Sequence, residues 1–105
     1  MVSLVVRMKM QEGKEEQALE QVRTMVQAVE ASEPGALIYV YHRLQEEPSE
    51  IVILEVYKDD AAFQTHMQTE HMGAFRGKAQ ELFDLSQVKV ERLDWVAGVV
   101  RADVA

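Results

Sequence analysis

The chain has 105 residues, no cysteine and a formal net charge of −7. That length supports one domain with a modest core, and the absence of cysteine excludes disulfides, zinc–thiolate sites and cysteine nucleophiles together. Its 11 Lys and Arg are scattered against 18 Asp and Glu, which argues against a nucleic-acid-binding face. The 48% hydrophobic content is that of a folded globular chain. Met1 to Val6 is too short an apolar run before Arg7 and Lys9 for a signal peptide. No run approaches the roughly 20 apolar residues that span a bilayer. A soluble, cytoplasmic protein without membrane insertion is expected.

Leu4, Val6, Met8 and Met10 alternate with Ser3, Val5, Arg7 and Lys9, the period of a first strand. Gly13 breaks that pattern. From Lys14 to Glu30 the apolar residues Ala18, Leu19, Val22, Met25, Val26 and Val29 form one stripe of a helix. Glu15 and Glu16 suit the positive end of its dipole, and Pro34-Gly35 stops it. Ala36 to Leu44 and Ile51 to Tyr57 read as a β-hairpin around Gln45 to Glu50. Asp59 or Asp60 caps a helix entering Ala61, Ala62 and Phe63. Thr69 caps a second piece with the stripe Met72, Phe75, Ala79, Leu82 and Phe83. Gln87 to Trp95 alternates as a last strand, and Val96 to Ala105 forms a tail.

The order β-α-β-β-α-α-β is most simply a ferredoxin-like α+β fold, four antiparallel strands with helices on one face. Residues 1–95 make that domain and residues 96–105 the tail. The hairpin strands Leu37-Ile38-Tyr39-Val40-Tyr41 and Ile51-Val52-Ile53-Leu54 are apolar on both faces, whereas a sheet with one wet face alternates. Helices cover one face only. The other exceeds the roughly 300–600 Å² apolar patch usual on a monomer, so a homodimer is expected, with the tail at its interface.

Two of the three histidines, His66 and His71, lie five residues apart beside Met67, Met72 and Phe75. Helical metal pairs are spaced at three or four residues, so no metal site is expected. Across a helix break the two histidines need not face each other. Each reads either as a helix-end residue satisfied by backbone or as a general base near working pH. His71 is favoured as the base because Met72 and Phe75 mark the buried stripe beside it. Glu55 is the acid inside an apolar strand and needs a partner. It is read first as the structural partner of Arg43 across the hairpin, and second as an orienting acceptor for a histidine. Ile51, Ile53, Glu55 and Tyr57 share one face, as do Tyr39, Tyr41 and Arg43. These aromatic hydroxyls suit a planar phenolic ligand and are equally ordinary in a sheet. His42 points the other way and reads as an exposed or interface residue. Met8, Met67 and Met72 make an adaptable lining, and Trp95 reads as packing or dimer edge.

Gly13-Lys14, Glu33-Pro34-Gly35 followed by Tyr39, Glu55-Val56-Tyr57 and His66-Met67-Gln68-Thr69-Glu70-His71-Met72-Gly73-Ala74-Phe75 together resemble the antibiotic biosynthesis monooxygenase family of dimeric ferredoxin-like proteins. The last segment is similar to the bacterial quinol monooxygenases of that family, where a Pro commonly replaces Glu70. The resemblance runs from Val5 to about Leu93 and implies the dimeric α/β barrel. The haem-degrading branch uses an Asn on the first strand, a Trp ending the third and a His on the long helix. Here there is no Asn; Val6, Tyr57 and Arg76 occupy or adjoin those positions, which disfavours haem degradation. Tyr57 likewise weakens transfer from the anthrone oxygenases that use that Trp.

The resemblance implies a monooxygenase that needs no cofactor, acting with O₂ on a quinol or other small phenol after deprotonation by a histidine. His71 is the expected base and His66 the second candidate. Tyr39, Tyr57 and Arg43 orient substrate oxygens, Glu55 fixes a partner, and Met8, Met67, Met72, Phe63 and Phe75 exclude water. Two alternatives stand beside it: an isomerase or lactone-handling enzyme with the same pocket, and a non-catalytic small-molecule-binding stress protein. An enclosed cavity touching His71 and Tyr57 is the signature expected of the catalytic readings, and its absence would favour the non-catalytic one.

Overall fold

A computed structural model describes residues 1–101. Its elements follow the expected order: β1 (Val2–Met10), α1 (Glu15–Ser32), β2 (Ala36–Arg43), β3 (Glu50–Tyr57), α2 (Asp60–Gln68), α3 (Glu70–Leu82) and β4 (Phe83–Leu93). The sheet runs β2-β3-β1-β4 with every neighbouring pair antiparallel, the ferredoxin-like arrangement. No helix among the described residues is long and apolar enough to cross a membrane.

Register sorts the side chains. Leu4 pairs with Glu55 and Arg92, Val6 with Ile53 and Val90, and Met8 with Ile51, while Tyr39 pairs with Glu55 and Tyr41 with Ile53. Residues directly opposite share a face, so all of these look toward the helices. Ala18, Val22, Met25 and Val29 of α1 and Phe75, Ala79 and Leu82 of α3 close over that face and form the core with Leu4, Val6, Met8, Met10, Ile51 and Ile53. The outer face carries Val5, Leu54, Val56, Ile38 and Val40. Residues 94–101 form no regular element. Trp95 and Val100 line a shallow groove with Leu37, Ile38 and Val56 of that outer face. Residues 102–105 of the tail lie outside the described residues.

Three local features place the helices. Gly13 takes φ +81°, the left-handed region that glycine enters without a Cβ clash, in the turn from β1 to α1. A Cβ on Gly35 would stand 2.6 Å from Ala62 Cβ, so only glycine lets α2 seat on the turn after α1. Asp59 Oδ1 accepts from the Ala62 amide at 2.8 Å, capping α2. Thr69 ends α2 and caps α3: its Oγ1 donates to the His66 carbonyl at 2.8 Å and accepts from the Met72 amide at 3.2 Å.

The largest boundary difference from the sequence reading is at the start of β4, which also ends at Leu93 rather than Trp95. Phe83 belongs to β4, with extended backbone at φ −127° and ψ 152°, and pairs with Met10. Its side chain still enters the core, 1% exposed, with its ring 5.8 Å from that of Phe75. The helical stripe therefore named the correct core residue but the wrong element. β4 consequently begins four residues earlier than Gln87, and its pairing with β1 shifts register between Arg7 and Lys9.

Candidate active site

Between the inner face of the sheet and helices α2 and α3 lies a cavity of about 220 Å³. Leu4, Val6 and Met8 of β1, Ile53 of β3 and Val88 and Val90 of β4 form its floor. Phe63, Met67, Met72 and Phe75 come from the two helices. The groups on its wall with polar atoms in their side chains are Tyr39, Tyr41, Glu55 and His66, apart from the thioethers. A few convergent polar groups in an otherwise apolar pocket are what orient a small ligand. An apolar protein cavity of about 150 Å³ holds one benzene ring, so this one suits a somewhat larger planar molecule. Arg92 stands over the Phe63 ring, 5.3 Å from its centroid.

His66 is the imidazole on that wall. Its ring is buried between those of Tyr39 and Tyr57, at centroid distances of 5.3 and 5.2 Å. Nδ1 lies 2.9 Å from Glu33 Oε1, and the other Glu33 oxygen is hydrogen-bonded to His71 Nε2. As a carboxylate Glu33 accepts on both oxygens, so each imidazole turns an N–H toward it. His66 Nε2 has no hydrogen-bond partner among the described side chains. The helix break at Thr69, which left the histidines without a reason to face each other in the sequence, is what brings both to one carboxylate.

The second polar group of the wall sits on β2 and β3. The Tyr57 hydroxyl donates to Glu55 Oε1 at 2.5 Å, and the Tyr39 and Tyr41 hydroxyls share a hydrogen bond of 2.9 Å. Burial pushes Glu55 up toward its protonated form, against the opposing effects of the Tyr57 hydrogen bond and His66. Burial also raises Tyr39, Tyr41 and Tyr57, so all three stay neutral hydroxyls. The cavity wall thus carries neutral hydroxyls next to an imidazole. Among the described residues no three His, Asp or Glu side chains converge in a metal-binding group.

Of the residues singled out from sequence, Met8, Tyr39, Glu55, Phe63, His66, Met67, Met72 and Phe75 meet at the cavity. Tyr57, His71 and Arg43 do not line it. Tyr57 is fully buried behind Glu55 and His66. His71 immediately precedes Met72, about 100° around α3, so Met72 faces the cavity while His71 turns to Glu33. Arg43 is not the partner of Glu55. It pairs with Ile51, its Nε donates to the Pro48 carbonyl at 2.8 Å, and it borders an open groove at the hairpin end with His42. His42 is exposed, on the outer face. Leu4, Val6, Ile53, Val88 and Val90 join the wall without having been singled out as site residues. Tyr41 joins it as one of the hydroxyls read as suited to a phenolic ligand, and Glu33, given no site role from sequence, stands behind it. Glu33 carries one local signal: it is an acid at the C-terminal end of α1, the negative end of the dipole, where a carboxylate is unfavourable unless something else holds it.

Comparison with known proteins agrees with this architecture. The family model for antibiotic biosynthesis monooxygenases matches residues 1–78. YcnE of Bacillus subtilis (strain 168), a candidate monooxygenase by name, is 33% identical over 82 residues, spanning 78% of this chain and 85% of that protein. The crystal structure of PA3566 from Pseudomonas aeruginosa superposes with a TM-score of 0.80 at 27% identity, covering 91% of this chain and 94% of that one. A Caulobacter crescentus CB15 protein, named as a candidate antibiotic biosynthesis monooxygenase, superposes with a TM-score of 0.84 at 25% identity, covering 91% and 90%. These relatives support a monooxygenase-type role. The chain belongs to the antibiotic biosynthesis monooxygenase family.

Proposed function

We propose that this protein is a cofactor-independent monooxygenase that oxidises a quinol or other small phenol with O₂, with His66 as the base. The observation that carries this reading is the placement of His66: one imidazole nitrogen held by a carboxylate, on the wall of an apolar cavity that suits a small aromatic molecule. Family membership supports the oxygenase chemistry. The cavity touches neither His71 nor Tyr57, and the absence of that contact counts toward the non-catalytic alternative. What supports the catalytic reading instead is His66, which lines the cavity with the Tyr57 ring tilted beside it at 5.2 Å.

An ordinary phenol has a pKa near 10 and an imidazole near 6.5, so proton transfer in water is uphill by about 5 kcal/mol. Glu33 holds the Nδ1 side of His66, and hydroxyls of the Tyr39–Tyr41 pair offer a donor to the phenolate or carbonyl oxygen, which stabilises the anion. The electron-rich anion then reduces O₂ directly, and recombination places a peroxide on a ring carbon. His66 returns its proton to that peroxide. Loss of the ring hydrogen and cleavage of O–O release water and leave a carbonyl. The balance closes: hydroquinone plus O₂ gives hydroxyquinone plus water. Apolar walls from Met67, Met72 and Phe75 reduce the contact of the reactive anion with water on the helix side of the cavity.

An oxygen electrode with a chemically reduced naphthoquinone tests the reading, which requires O₂ uptake that saturates with quinol and exceeds its autoxidation. Proton exchange on a hydroxy-ketone without O₂ uptake would instead indicate an isomerase. Ligand binding with neither activity would indicate a non-catalytic binding protein.

We also propose that a second copy covers the outer sheet face, where Val40 and Leu37 are 43% and 51% exposed beside Ile38 and Leu54. Light scattering at micromolar concentration should then return twice the 12.0 kDa chain mass. A monomer mass at that concentration would contradict the pairing.

A further inference from the structure

We propose that Glu33 is a positioning residue that selects the tautomer of His66, and that His71 is the clamp that holds Glu33 to this task. The inference rests on reading His66 as the base. A neutral imidazole carries its proton on either nitrogen, and only the bare nitrogen can accept one from a substrate. Glu33 lies 2.9 Å from Nδ1, so the proton is held there and the lone pair is left on Nε2 of a ring that lines the cavity.

The surroundings show a built arrangement. Glu33 is 6% exposed, at a helix end whose dipole opposes it, so its burial depends on the two imidazole donors. Gly35 lets α2 approach the turn closely enough for His66 to reach Oε1. Thr69 breaks the helix so that His71 reaches the other oxygen. His71 is about one-fifth exposed and off the cavity wall, a poor place for a base acting on a bound substrate. It is a suitable place for a donor that fixes a carboxylate.

The tautomer is read by ¹⁵N-detected NMR of the histidine-labelled wild-type protein, and turnover by quinol-dependent O₂ uptake. Neutral His66 should carry its proton on Nδ1, and His71→Leu should lower that tautomer's population. Glu33→Gln, which cannot accept from both rings, should lower kcat by at least about 100-fold with KM changed less than about threefold, because Glu33 does not touch the cavity. His71→Gln keeps an N–H for Glu33 and should retain at least about tenfold more turnover than His71→Leu. A wild-type His66 protonated on Nε2, or His71→Gln and His71→Leu equally impaired, would overturn the assignment. The NMR arm decides even if no quinol is oxidised, so failure of the positioning claim is separable from failure of the proposed activity.

Discussion

His66→Gln is expected to lower quinol-dependent O₂ uptake by about 10²–10⁴-fold, the usual worth of a positioned general base. The replacement is chosen because a Gln amide can still donate to Glu33 Oε1, which His66 Nδ1 now contacts at 2.9 Å. The carboxylate is then not left buried without that partner, and the fold is maintained. What disappears is the nitrogen lone pair on the cavity wall. Circular dichroism establishes that the variant is folded, and steady-state O₂ uptake gives the ratio. Turnover within about threefold of wild type in a folded variant would remove His66 from the chemistry. Because the loss is of proton transfer rather than of binding area, it should fall on kcat more than on KM.

The largest effect on stability is expected at Phe83. It is 1% exposed, faces Phe75 across 5.8 Å and sits where α3 ends and β4 pairs with Met10. Phe83→Ala removes a whole ring from a junction that two elements hold in place and that cannot collapse freely. Such changes cost about 3–5 kcal/mol. For a domain of this size that corresponds to a fall in Tm of more than about 10 °C at fixed protein concentration. Phe83→Leu, which keeps most of the volume, should lose much less. A cost below about 1 kcal/mol for the alanine variant would show that this junction is not a packed part of the core.

The elements that were legible in the sequence are those specified by local rules. Alternation of Leu4, Val6, Met8 and Met10 defines β1, and the Asp59 and Thr69 caps start α2 and α3. The stripe Ala18, Val22, Met25 and Val29 is the buried face of α1. Strand phase also placed Glu55 and Tyr57 on one face, which is the inner face of the sheet. Phase does not tell depth, however. Glu55 reaches the cavity and Tyr57 stops behind it.

Partnerships across the fold were not legible. Glu33 meets His66 across 33 positions and His71 across 38, and nothing in either neighbourhood names the other. The Glu55–Arg43 pairing failed because hairpin register sets Tyr39 opposite Glu55 and Ile51 opposite Arg43. Val88 and Val90 read as an ordinary strand, and they line the cavity although 39% and 58% exposed. His71 was preferred over His66 on the strength of its neighbours, yet adjacent residues of a helix face different directions. The same histidine segment therefore carried the family signal correctly, while the member that lines the cavity is His66 rather than His71.

The central claim is that O₂ is split between the organic product and water, with His66 supplying and removing protons. Turnover of a reduced naphthoquinone under ¹⁸O₂ in unlabelled water tests it most directly. The account predicts a hydroxyquinone carrying one labelled oxygen atom per turnover, no stoichiometric hydrogen peroxide, and loss of that label incorporation in His66→Gln. An unlabelled quinone accompanied by one hydrogen peroxide per quinol would contradict it.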